Sequence, residues 1–392
     1  MKVTSSFTSI QSRISEFLPE MVALRRDIHR HPELGYEEQR TSDIVANLLA
    51  EWGYSVDRGL GGTGVVGTLR RGDGNATIGI RADMDALPIT ETADHDYVST
   101  TPGVMHACGH DGHTTTLLTA ARYLAQHGEF NGTLHVIFQP AEESLGGGLK
   151  MIEDGLFERF PCDAVFGLHN MPGIPVGKLN FIAGPGMASS DTAIVRIIGR
   201  GVHGAVPHLS VDPIAAAGSL ITALQTVVSR NVPPLEAAVV TIGSIHGGST
   251  SNIIPDSVEM ELTIRAFSAE VRELLQERIT ELCKQQAQSF GATAEVDYQR
   301  GYPVLVNDEE QTAFAQQLAI ELFGESNVAT SDPITASEDF AYMLEKVPGS
   351  YLFVGNGDSA SLHNPGYVFN DQNIGTGATY WAALVERYLK CS

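Results

Sequence analysis

The chain has 392 residues, more than one ordinary core of ~100 to 200 residues holds, so two or three domains are expected. With 43% apolar and 18% charged residues it belongs with globular proteins, which excludes a disordered or fibrous chain. Forty-seven acidic against 25 basic side chains leave a formal charge of -22, a surface that repels phosphate backbones and anionic lipid, so neither nucleic acid nor membrane is an expected partner.

The N-terminal segment alternates Ser, Thr, Gln and Glu where a signal peptide needs an apolar stretch, and no run approaches the ~20 apolar residues of a membrane span. The chain therefore reads as cytoplasmic. Helices are predicted over residues 18–29, ended by His31-Pro32-Glu33, and over 41–52, where Ile44, Val45, Leu48 and Leu49 give an i, i+3, i+4 pattern. Short apolar runs follow at 77–80, 133–138, 164–168 and 351–354, with helical stretches such as 114–125 and 149–152 between several of them. That alternation predicts an α/β fold with a mostly parallel sheet.

Between residues 186 and 301 the rhythm becomes strand 192–199, helix 213–229, strands 237–244 and 257–267, helix 269–290 and strand 293–298. This β-α-β-β-α-β order is that of a small ferredoxin-like α+β domain. The expected organisation is a larger domain of residues 1–187 and 302–392, interrupted by an inserted domain of residues 188–301.

Residues able to bind metal cluster at the C-terminal ends of the predicted strands. Ile80 leads into Arg81-Ala82-Asp83-Met84-Asp85, Phe138 into Gln139-Pro140-Ala141-Glu142-Glu143, and Leu168 into His169-Asn170; His363 follows the strand at 351. Cys108-Gly109-His110-Asp111-Gly112-His113 precedes a helix. Ligands of open α/β sheets bind outside the carboxyl ends of strands, so these segments converge on one crevice. A thiolate, imidazoles and paired carboxylates suit zinc, and carboxylate with imidazole also admits manganese, cobalt or nickel. Five strong donors exceed one catalytic site, which argues for two ions sharing a bridging group. From an extended backbone the adjacent Glu142 and Glu143 would point apart, so one is expected to bind metal and the other to move protons. Taken singly, Cys108, His169 and His363 fit structural roles as well; it is their company that favours metal. The four cysteines, Cys108, Cys162, Cys283 and Cys391, are too sparse for a disulfide framework. His29, His31, His95, His106, His127, His135, His208 and His246 read as structural, and His113 as a packing or orienting residue.

These segments resemble the M20 metallopeptidase superfamily, in its amidohydrolase branch of hippurate hydrolases, N-acyl-amino-acid amidohydrolases and auxin-conjugate hydrolases. The resemblance runs in family order through residues 29–34, 81–88, 106–113, 139–143, 167–170, 199–208, 251–255, 337–342 and 362–367. It implies a two-metal centre of Cys108, His110, Glu143, His169 and His363, with Cys108 bridging, Glu142 as general acid/base and Asp83 orienting the ligand His110. The inserted domain would be a lid and dimerisation domain. In it His203 would stabilise the oxyanion in the site of a partner subunit of a homodimer, Asn252 would contact substrate and Arg265 would hold the substrate carboxylate. The activity implied is hydrolysis of the amide bond of small N-acyl-amino acids. A dipeptidase or carboxypeptidase of the same superfamily is the near alternative. More distant ones are a metal-independent hydrolase with Cys108 as nucleophile and His110 or His113 as base, and a non-catalytic metal-stabilised binding protein.

Overall fold

The structure, a computed structural model, describes residues 2–390 and their side chains from residue 9 onward, apart from that of Ser144; Cys391 lies outside the described residues. The chain divides into two compact units. One comprises Met1–Gly184, Val306–Asp332 and Asp339–Ser392, the other Pro185–Leu305 and Pro333–Glu338.

The first unit is built on an eight-stranded sheet in the order Ser55–Leu60, Gly64–Arg71, Gly132–Gln139, Thr77–Asp83, Ala164–Pro172, Gly349–Gly357, Leu179–Phe181, Val328–Thr330. The middle four strands run parallel, so their C-terminal ends share one edge. Every residue of Gly132–Gln139 is buried, as is nearly all of Gly349–Gly357, which is how parallel strands covered on both faces read in sequence. Two antiparallel strands, Ser55–Leu60 and Gly64–Arg71, extend the sheet at one side beyond the strands that the sequence predicts. Their charged Asp57, Arg58, Arg70 and Arg71 conceal the apolar alternation.

The first helix, Lys2–Arg30, is longer than the predicted 18–29 and contains Pro19 in its interior. Ile10, Ile14, Phe17 and Met21 fall on one buried stripe, and that burial outweighs the backbone hydrogen bond that proline removes. The helix packs against His110–His127 and Gln372–Tyr388. Buried Arg25 fastens the three together through ion pairs to Asp111 (3.0 Å) and Asp371 (2.7 Å). A shared core of sheet and helix side chains, including Ile80, Val136, Phe166, Leu352, Leu117 and Trp381, keeps the strand ends rigid.

The second unit contains a four-stranded antiparallel sheet in the order Ala238–Gly247, Ser257–Ala266, Asp191–Ile198, Thr293–Arg300, the ferredoxin-like arrangement. Its helices Pro213–Asn231 and Ala269–Ser289 share an apolar core with the sheet through Leu220, Leu224, Leu275 and Ile279. Asp212 and Ser268 cap them by accepting backbone N–H hydrogen bonds.

Candidate metal centre

The C-terminal edge of the parallel strands carries the donor residues. Asp83 ends Thr77–Asp83; Gln139 ends its strand and is followed by a left-handed Ala141 (φ 53°) and the short helix Glu142–Leu145. His169 and Asn170 sit near the end of Ala164–Pro172, and His363 follows the last parallel strand in a left-handed conformation (φ 63°). The helix predicted from residue 114 begins at His110, so His110 and His113 share its first turn. The earlier start depends on Gly109 (φ 90°), where a Cβ would collide with Asn170 Nδ2 and Tyr367 Oη.

Six residues from four separate segments meet here. Donor atoms of Cys108, His110 and His169 lie within 4.8 Å of one another, as do those of Cys108, Glu143 and His363, and those of His110, Glu142 and Glu143. Cys108 belongs to two of these groups. Its Sγ is 3.3 Å from His169 Nε2, and His363 Nε2 is 3.1 Å from Glu143 Oε1, a contact without hydrogen-bond alignment. His110 Nε2 and Glu143 Oε1 are buried 4.0 Å apart with no hydrogen-bond partner. Buried polar atoms are rarely left so. Unpaired imidazole and carboxylate donors gathered around a thiol fit divalent cations, so the residues present suit the two-ion centre that the resemblance implies.

Hydrogen bonds outside this cluster set which nitrogen of each ring is free. His169 Nδ1 donates to Asn170 O (2.6 Å), and burial followed by the neighbouring His113 holds its pKa well below the ordinary value; Nε2 keeps a lone pair. His110 Nδ1 donates to Asp85 Oδ1 (3.1 Å), and Asp85 Oδ2 accepts from Glu143 N (2.9 Å). Asp83 instead pairs with His113 Nδ1 (2.7 Å) and Arg81 Nη1 (2.7 Å), while lying 3.8 Å from His110 Nε2. Asp85, rather than the Asp83 expected from sequence, orients His110. The two aspartates are i and i+2 and differ only in which ring they reach, a distinction that a sequence pattern does not carry. His113 acts through Asn170, whose N–H donates to His113 Nε2 (3.0 Å) and whose Nδ2 donates to Cys108 O (2.7 Å).

Glu142 and Glu143 also depart from expectation. They occupy a single helical turn after the left-handed Ala141, not an extended backbone, so both carboxylates approach His110. Beneath them Asp339 accepts from Gly148 N (2.7 Å), Gln139 Nε2 (2.7 Å) and Arg81 Nη2 (3.0 Å), which ties the loop base to the strand bearing Asp83.

Burial, then the carboxylates of Glu143, Glu142 and Asp83, push the Cys108 thiol well above its ordinary range. A free cysteine nucleophile needs the opposite shift, whereas a cation supplies it.

His203, Asn252 and Arg265 belong to the second unit. His203 is exposed on the two-residue strand Val202–His203, paired with Ile253–Ile254, and its Nδ1 accepts from Ala205 N (3.0 Å). Asn252 adjoins it, its carbonyl accepting from Gly204 N (2.7 Å). Arg265 lies half-buried on Ser257–Ala266, donating to Ile264 O (3.0 Å); desolvation lowers its pKa against the pull of Asp191.

A thiol, imidazoles and paired carboxylates gathered at the carboxyl edge of a parallel sheet are the donor set expected of a metal-dependent hydrolase. Comparison with known proteins agrees. The profile of peptidase family M20/M25/M40 matches residues 79–387, and the chain belongs to that family. It is 48% identical to the hippurate hydrolase of Campylobacter jejuni over 95% of this chain and 97% of that one. To the N-acetyl-L-cysteine deacetylase of Bacillus subtilis it is 41% identical over 92% and 86% of the two chains. The crystal structure of the Bacillus subtilis YXEP protein, a dinuclear metal binding peptidase from the M20 family, superposes with a TM-score of 0.84 at 33% identity, covering 96% of this chain and 99% of that one.

Proposed function

We propose that this enzyme hydrolyses the amide bond of small N-acyl-amino acids, releasing a carboxylic acid and a free amino acid. Two divalent cations would be held by Cys108, His110, Glu143, His169 and His363. The observation that carries this is the membership of Cys108 in two donor groups at once, one with His110 and His169 and one with Glu143 and His363. The names of the relatives support the substrate class, since hippurate and N-acetylcysteine are both N-acyl-amino acids. Zinc, manganese, cobalt and nickel all fit the donor set.

When bound, such cations supply Lewis acidity toward the acyl carbonyl and toward water. Glu142 accepts the proton of the attacking water and delivers it to the departing amine, a role suited to a carboxylate that reaches the donor cluster beside His110 and Glu143. Asp85 and Asn170 keep His110 and Cys108 in place. Arg265, with its planar fork, grips the substrate carboxylate; His203 stabilises the oxyanion from a partner subunit and Asn252 touches substrate. This gives the second unit the role of lid and dimerisation domain in a homodimer, and the exposed pairing of His203 beside Asn252 supports it.

The test is a panel of hippurate, acetyl-amino acids, indole-acetyl-aspartate and dipeptides with metal-reconstituted protein. Turnover of the acyl-amino acids, its loss with a strong chelator and its return on adding metal are expected. Dipeptides turned over in preference would move the reading to a peptidase of the same family. Glu142→Gln should retain both ions and lose ~10²- to 10⁴-fold in kcat. Near wild-type turnover with both ions bound would refute the role given to Glu142.

A further inference from the structure

Among the described residues three non-glycine residues lie in the left-handed backbone region, Tyr36 (φ 67°), Ala141 (φ 53°) and His363 (φ 63°). Such conformations persist only where surrounding contacts over-determine them. Ala141 is the corner between the Gly132–Gln139 strand and the turn bearing Glu142 and Glu143. Its N–H donates to Glu38 Oε1 (2.8 Å), and its carbonyl accepts from Gly147 N (3.0 Å). Glu38 is completely buried, and its other oxygen accepts from Thr63 Oγ1 (2.6 Å). Two residues earlier, Tyr36 Oη donates to Leu145 O (3.0 Å), at the far end of the same helical turn. One turn of chain thus grips both ends of the segment that carries the two glutamates.

We propose that Glu38, assisted by Tyr36, is a positioning residue for the acid/base carboxylate: by anchoring the Ala141 N–H it keeps the corner left-handed and so aims Glu142 into the site. Relaxed to the right-handed or extended region, Ala141 would swing Glu142 away from His110, while the hydrogen bond from Glu143 N to Asp85 Oδ2 (2.9 Å) holds Glu143 in place. The inference rests on the reading of Glu142 as the acid/base.

The test uses the full-length, metal-reconstituted enzyme with an N-acyl-amino acid substrate, together with hydrogen exchange at the Ala141 amide. Glu38→Ala should lower kcat ~10²-fold with KM nearly unchanged, the size of effect that a small misplacement of a catalytic group produces. Its Ala141 amide should exchange faster than in the wild type. Glu38→Gln should restore most of the kcat and the slow exchange, because its amide oxygen still accepts from Ala141 and its NH₂ donates to Thr63. Tyr36→Phe, which only removes a hydroxyl from a partly exposed ring, should lower kcat ~3- to 10-fold, as expected for one hydrogen bond, and it serves if Glu38→Ala does not fold. In a Glu142→Gln background, Glu38→Ala should add almost no further loss, since residues acting as a unit are not additive. Unchanged kcat in both Glu38→Ala and Tyr36→Phe, equal losses in Glu38→Ala and Glu38→Gln, or an undiminished ~10²-fold loss in the Glu142→Gln background would each overturn the role of Glu38 alone. Wild-type turnover of Glu142→Gln by itself would overturn the reading of Glu142 and this proposal with it.

Discussion

Replacing Asp85 by Asn should weaken cation binding although the two side chains have the same shape. Each Asp85 oxygen accepts one hydrogen bond, Oδ1 from His110 Nδ1 (3.1 Å) and Oδ2 from Glu143 N (2.9 Å). Asparagine has a single acceptor and turns an N–H toward one of those donors. Without cations nothing fixes Nε2, and the His110 ring can turn away from the mismatched amide. With a cation on Nε2 the ring is held in place, and one buried donor is left unsatisfied at a cost of ~1–3 kcal/mol. Because the cost arises only in the loaded state it appears as lost affinity, roughly 5- to 150-fold at about 1.4 kcal/mol per factor of ten. Loss of a residue that orients a metal ligand typically costs ~10- to 100-fold, which agrees. Competition against a chromophoric chelator, with wild type and Asp83→Asn in parallel, measures it. Wild-type affinity for both ions in Asp85→Asn would refute the assignment of His110 as a ligand oriented by Asp85.

Further outcomes follow from the buried cluster at the N-terminal end of the His110–His127 helix. Burial alone would lower the pKa of His29, but the carboxylate of Asp111 and hydrogen bonds to Asp111 and Glu91 raise it to about 9. A raised imidazole stabilises the fold fully below ~6.5 and loses that contribution as pH climbs through about 9, by ~3 kcal/mol for a shift of this size. The urea midpoint of the wild type should fall across that window and His29→Gln should lack the drop; parallel profiles would contradict the pairing. Gly109→Ala forces a left-handed alanine and drives its Cβ against Asn170 and Tyr367, so about 2–4 kcal/mol of stability should be lost together with retained metal. A wild-type urea midpoint and metal content in that variant would show that the helix start tolerates a side chain.

The parallel strands and their donor-bearing ends were legible because the first three apolar runs are followed within four residues by Asp83, Glu142 or His169, and the fourth, more distantly, by His363. Five donors from four separate segments do come together, and periodicity was enough to place them on one edge. What sequence did not reveal is set by contacts distant in the chain. Pro19 hid most of the first helix, whose course is decided by the buried Ile10–Met21 stripe. Backbone twists at Gly109 and Ala141 moved the helix start and turned Glu143 toward His110 alongside Glu142. The exchange of partners between Asp83 and Asp85 depends on ring orientation, which neighbours such as Asn170 determine.

The pairing of Ala164–Pro172 with Gly349–Gly357 joins strands separated by nearly half the chain, including all of the second unit. During synthesis the growing polypeptide therefore holds Cys108, His110, Glu143 and His169 long before the ribosome has made the strand that places His363. Non-local pairing of this kind is slow, so the proposed set of ligands is complete only after the last parallel strand has been made and has joined the sheet.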